Sequence, residues 1–167
     1  MRWDFEMRGI LSLEGKDLSC ADLIGAKLCY ANLKGANLSY SNALNATFYG
    51  AELIDANLKD TNLSGAILEW ANLSGAYLSG ADLSGANLTR ARMEGANLSG
   101  ADLRQATLKD ADLSGANLSG ADLRHAYLMD ADLSGANLTN AKVSATSLRR
   151  AINLTGAKMP DGTYDWP

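Results

Sequence analysis

The stretch ADLSGANLSGADLRHAYLMDADLSGANL, from Ala111 to Leu138, places Leu at every fifth residue and Ala two positions before each Leu. An amphipathic helix repeats its apolar face at about 3.6 residues and a half-buried strand at about 2, so a sustained period of five fits neither. Working outward, the register holds at Leu13, Leu18, Leu23, Leu28, Leu33 and Leu38, and again from Phe48 through Leu53 to Leu148, with Met93 and Val143 as conservative exchanges. The position two before the centre is Ala almost throughout, with Ser41, Thr61 and Thr146 as small substitutes. An interior that takes one large and one small residue per unit, and leaves the other positions free to be polar, is narrow and walled by backbone. A solenoid meets that requirement. Each unit forms a short extended side and a corner, and units one coil apart stack at about 4.8 Å, so that like residues form ladders.

The units ADLSG, ANLSG and ANLTN resemble, residue by residue, the A(D/N)LXX signature of the pentapeptide-repeat family, from about Leu11 to Arg150. The resemblance implies an all-β fold, a right-handed four-sided parallel β-helix with the central Leu and the preceding small residue facing inward. Four units per coil make about seven coils, a rod of about 34 Å. A single domain then spans 1–167, with an N-terminal cap over 1–10, regular repeats over 11–150, and irregular last repeats with a C-terminal cap over 151–167. Solenoid ends expose core and unpaired edges, so capping accounts for Trp3, Phe5, Met7 and Ile10 at one end. Met159, Tyr164 and Trp166 serve the other end, with Pro160 stopping the pairing.

Two departures interrupt the register. SNALN, Ser41 to Asn45, puts Ala43 at a centre and Leu44 where the chain faces solvent. Either the core has a void there or a bulge turns Leu44 inward, and the bulge is the expectation. After Arg150 the spacing slips by one, so that Leu154 and Met159 continue the series past an extra residue.

The chain of 167 residues has a formal net charge of −4, which argues against direct binding to nucleic acid or to anionic membrane. No apolar run approaches the ~20 residues of a spanning helix, and MRWDFEMRGI lacks a secretory signal's pattern, so a cytoplasmic location is expected. Cys20 and Cys29 are expected to be free thiols on non-adjacent sides, because they complete neither a zinc spacing nor a disulfide framework. The repeated Asn-Leu-Ser/Thr triplets follow from the repeat itself and carry no separate meaning.

The residues offer no catalytic constellation. His125, the single histidine, falls at an outward corner with no nucleophile placed beside it, and a convex rod provides no pocket by default. Gly at the unit ends serves corners that need positive φ, since neither the Walker spacing nor GxGxxG is present. Steps of twenty residues align Asp82, Asp102 and Asp122 on one face and Asn97, Asn117 and Asn137 on another, with Arg104 and Arg124 placed to offset the acids. A charge-balanced surface follows, with no metal site, no cofactor and no small-molecule substrate.

The outward slots are asymmetric. Ile24, Cys29, Tyr30, Tyr40, Leu44, Tyr49, Ile54, Ile67, Trp70 and Tyr77 crowd the first half, whereas the second half carries mainly Ser, Gly and Asp apart from Tyr127 and Met129. Apolar residues clustered on a surface point to contact. The four-unit phase aligns Tyr30, Tyr49 and Trp70 on one side of three successive coils, with Ile67 at the preceding slot. These residues are the candidate partner surface of a non-enzymatic structural or protein-interaction module, the partner being another protein or a second copy. The family resemblance also raises an alternative: some members mimic DNA and regulate type II topoisomerases, a role that calls for a long acidic face.

Overall fold

The computed structural model describes residues 10–163, and its architecture follows from one hydrogen-bond rule. The residue before each central Leu bridges in parallel to its equivalent twenty positions on, as in Asp82 to Asp102 and Asp102 to Asp122. The Leu103 N–H donates forward to the Asp122 carbonyl at 2.8 Å, while the Asp102 N–H donates back to the Ala81 carbonyl at 2.9 Å. Each unit of the interior coils is tied in this way to the coils on either side. Twenty residues are four units, so each coil has four sides, numbered here in chain order from the unit 11–15.

The preference for Asp or Asn at the bridging position has a local cause. Its side-chain oxygen accepts the N–H two residues on, at 3.2 Å for Asn97 with Ser99 and 2.8 Å for Asp132 with Ser134. Amide ladders add to this, as when Asn117 Nδ2 donates to Asn97 Oδ1 and Asn137 Nδ2 to Asn117 Oδ1, both at 3.3 Å. Inside, the Leu and Ala ladders form one continuous core from Leu28 to Met159, with Leu13, Leu18 and Leu23 of the first coil only partly buried against it. Each buried Leu contributes about 1.5–3 kcal/mol before chain entropy is subtracted.

The corners impose a special backbone. From Gly15 to Asn140 the second residue after each centre lies in the left-handed region, with φ from 53° to 68°. Gly, Asn or Asp fills all of these slots except those of Cys20, Tyr30, Tyr40, Trp70, Arg90, Gln105 and His125.

The bulge expected at Ser41 to Asn45 does not form. Ala43 remains the inward centre with no exposure, its N–H bonds normally to Asn62 at 2.8 Å, and Leu44 stays half-buried at the corner. The next centre in the same coil is Phe48, the largest fully buried side chain. An Ala and a Phe carry eight side-chain carbons between them, as do two Leu, so the core keeps its volume without bending the backbone.

The register slip also lies elsewhere than expected. The Asp130 N–H already reaches the Arg150 carbonyl, one residue beyond the usual step, and Asp132 bridges Asn153. The extra residue is absorbed by a single helical turn, α1 (Ala145–Leu148), whose N-cap Ser144 accepts the Ser147 N–H at 3.0 Å. Regular winding thus stops near Val143 and not at Arg150, although Leu148 still enters the core.

Of the expected capping residues, Trp3, Phe5, Met7, Tyr164 and Trp166 lie outside the described residues. Met159 is buried and Ile10 is largely exposed. Cys20 and Cys29 are both free and exposed. No helix among the described residues is long and apolar enough to cross a membrane.

Candidate interaction surface

The fourth side stacks the units 26–30, 46–50, 66–70 and 86–90, as the bridges Lys27 to Thr47, Thr47 to Ile67 and Ile67 to Asn87 establish. All four residues expected on one side, Tyr30, Tyr49, Ile67 and Trp70, therefore share it. They do not form one unbroken stack. Tyr30 and Tyr49 meet edge to face, with ring centroids 5.5 Å apart and planes at 79°. Trp70 instead packs against Arg90, whose guanidinium carbon lies 4.9 Å from the ring centroid. Ile67 occupies the bridging slot of the Trp70 unit and is exposed.

Tyr30 and Trp70 each pack on a neighbour that the sequence reading passed over. The Tyr30 ring lies over Gly50, where an added Cβ would come within 2.7 Å of Cδ1 and Cε1. Arg90 is itself anchored, its Nε donating to Asp110 Oδ2 at 3.3 Å. Counting twenty residues from Tyr30 and from Trp70 finds Gly50 and Arg90, so the signal was present in the sequence. Tyr49 is half-buried, and desolvation, followed by the charges of Tyr30 and Glu69, raises its hydroxyl pKa above the ordinary value of 10.0.

Tyr30 is 56% exposed and Trp70 is 49% exposed. Both adopt the left-handed conformation, with φ of 57° and 61°. That conformation costs an ordinary residue about 1–2 kcal/mol. Tyr40 repeats the combination on the second side at φ 59°, where Tyr77 is also exposed.

The acidic column on the third side is charge-balanced. Arg104 grips Asp102 through Nε and Nη2, the latter at 2.5 Å, and Arg124 grips Asp122 in the same way at 2.6 Å. These hydrogen bonds hold the Asp102 carboxyl below its ordinary range and bring that of Asp122 down to about 2. The expectation that a convex rod offers no recess needs correction, because a shallow one opens beside His125. Among the described residues no group of three or more His, Cys, Asp or Glu is placed to hold a metal ion.

The family model for pentapeptide repeats matches in eight copies, over residues 17–53, 31–69, 51–90, 71–110, 106–144 and 126–161. Among solved structures the fold is similar to that of HetL from the cyanobacterium Nostoc sp. strain PCC 7120, a pentapeptide repeat protein involved in heterocyst differentiation regulation. That likeness has 35% identity and a TM-score of 0.62, and covers 91% of this chain and 80% of HetL. It is also similar to a trypsin-treated variant of QnrB1, a plasmid-mediated fluoroquinolone resistance protein, at 25% identity and TM-score 0.54, covering 86% of this chain and 76% of that one. A search of curated proteins found no match.

Proposed function

This chain belongs to the pentapeptide-repeat family, and on that premise we propose that it is a non-enzymatic interaction module, a right-handed four-sided rod working in the cytoplasm. Its fourth side, with Tyr30, Tyr49, Ile67 and Trp70, meets a protein partner or a second copy. The observation that carries this reading is the placement of Tyr30 and Trp70 in left-handed corner slots, of which Gly, Asn or Asp fills 19 of the 26 between Gly15 and Asn140. Two bulky aromatics in strained, exposed positions are poor choices for stability, and strain of this kind is retained where a surface is used. Aromatic side chains also bury much area with few rotatable bonds, which suits them to contact hot spots.

The test replaces Tyr49 and Trp70 together by Ser and compares self-association by sedimentation and captured partners by affinity purification. Loss of association with the unfolding transition intact is the expected result. Unchanged association would make the strip ordinary surface.

A second reading, regulation of a type II topoisomerase by mimicry of DNA, draws on the likeness to QnrB1. The pairing of Asp102 and Asp122 with Arg104 and Arg124 weighs against it by neutralising the acidic column. An effect of the purified protein on gyrase supercoiling would favour it.

A further inference from the structure

On the third side, away from the aromatic strip, a half-open recess of about 370 Å³ is lined by Ser84, Arg104, Gln105, Arg124 and His125. On a chain of net charge −4 this lining is anomalous: two guanidiniums, an amide, an imidazole and a hydroxyl, with no carboxylate among them. Arg104 and Arg124 stand one coil apart, as the bridge between Asp102 and Asp122 fixes. That spacing is about 4.8 Å. From this arrangement the geometry points to a binding site for a phosphate monoester, with the phosphate across Arg104 and Arg124 and the remainder of the molecule over Ser84, Gln105 and His125.

The two ion pairs prepare this site as well as neutralising charge. Each aspartate takes the Nε and Nη2 edge of its arginine, with distances from 2.5 to 3.1 Å, which fixes the plane of the guanidinium. Among the described residues Nη1 of either arginine has no protein partner, and both side chains are about half exposed, at 49% and 57%. With Nε and Nη2 held by the aspartates, the Nη1 groups on neighbouring rungs remain free to donate to a tetrahedral oxyanion. On this side Asp82, Asp102 and Asp122 stack in one column with Arg104, Arg124 and Lys142, whose Nζ is 4.0 Å from Asp122, so the charges of the column balance.

An independent observation concerns the backbone. Gln105 and His125 occupy left-handed slots at φ 60° and 63°, whereas the slots before them on the same side hold Gly25, Asn45, Gly65 and Gly85. On this side, side chains larger than Asn enter that slot only where the recess opens. Its volume lies at the low end of small-molecule sites and exceeds what a bare phosphate ion needs, which favours a monoester.

The experiment titrates the intact protein with phenyl phosphate, inorganic phosphate and acetate at constant ionic strength, following amide and Arg Nε–H resonances. Saturable shifts at Arg104, Gln105, Arg124 and His125 are expected, with phenyl phosphate the tightest. The double variant Arg104→Gln with Arg124→Gln should bind phenyl phosphate at least about tenfold more weakly while melting normally. His125→Gly removes a donor and restores the residue this corner prefers, so it also weakens binding and serves if the double variant is poorly folded. Non-saturable shifts, an equal response at distant Arg92, acetate binding as well as phosphate, or folded variants that keep full affinity would each overturn the assignment.

Discussion

The pairing of Ala43 with Phe48 makes a quantitative prediction about how this core tolerates irregularity. Ala43→Leu restores the repeat at its own position but adds three carbons to a site that is already closed, since both residues have no exposure. Overpacking of this kind costs about 1–3 kcal/mol. Phe48→Leu removes three carbons and leaves their space, costing about 2 kcal/mol at ~0.8 kcal/mol for each group removed. The double variant keeps the total side-chain carbon number of the two sites and should lie within about 1 kcal/mol of the parent. A coupling of about 2–5 kcal/mol, opposite in sign to the two losses, is therefore expected from the double-mutant cycle. Urea titrations of the four proteins measure it, provided the slopes agree. If the double variant lost the sum of the single losses, Phe48 would not be filling the space left at Ala43, and some other accommodation of the SNALN segment would be needed.

Leu103→Ala should cost about 2–5 kcal/mol, because Leu103 is fully buried and its neighbours are held by interstrand hydrogen bonds that oppose collapse. Ser99→Ala, at a corner facing out, should change denaturant stability by no more than about 0.5 kcal/mol. Asp122 should titrate near 2 in carboxyl-resonance spectra. Because its folded pKa lies below the ordinary 3.8, its stabilising contribution is complete above that value and is lost as pH falls through about 2, and Arg124→Gln should return the titration toward 3.8. Gly50→Ala should destabilise by about 1 kcal/mol or more, since an L side chain is placed at φ 62° and its Cβ meets the Tyr30 ring. The displaced ring should also alter the near-ultraviolet circular dichroism.

Much of the fold was legible because one steric demand repeats. The large inward residue and its small predecessor cannot exchange places, so the sequence itself records which side chains face the core, and the burial of Leu33, Ala36 and Leu38 follows directly. The accommodation of a local exception was not legible. At Ala43 the pattern shows a missing side chain, but compensation by Phe48 depends on the shared volume of two sides of one coil, which five-residue counting does not measure. The slip near the C-terminal end was mislocated for a related reason. Leu148 keeps its apolar character through α1, so hydrophobic spacing stays in phase for several residues after the backbone has left the regular path.

The candidate surface was legible as an alignment and illegible as a strain. Counting in twenties placed Tyr30, Tyr49, Ile67 and Trp70 on one side, yet a sequence does not display the sign of φ, and the sign separates ordinary surface from costly surface here. Tyr49 sits one residue before its corner slot, which Gly50 fills, and carries no such penalty, whereas Tyr30 and Trp70 sit in the slot itself. The seven corners that depart from Gly, Asn and Asp are not scattered evenly. Tyr30, Trp70 and Arg90 fall on the fourth side, Cys20 and Tyr40 on the second, and Gln105 and His125 at the recess on the third. A fold needing only its corners would fill these slots with Gly, at no steric cost and without ring-to-backbone crowding such as that of Tyr30 over Gly50. The departures therefore mark the places where the rod gives up local stability for larger side chains, two aromatics and an arginine on the fourth side, a cysteine and an aromatic on the second, and an amide and an imidazole at the recess on the third.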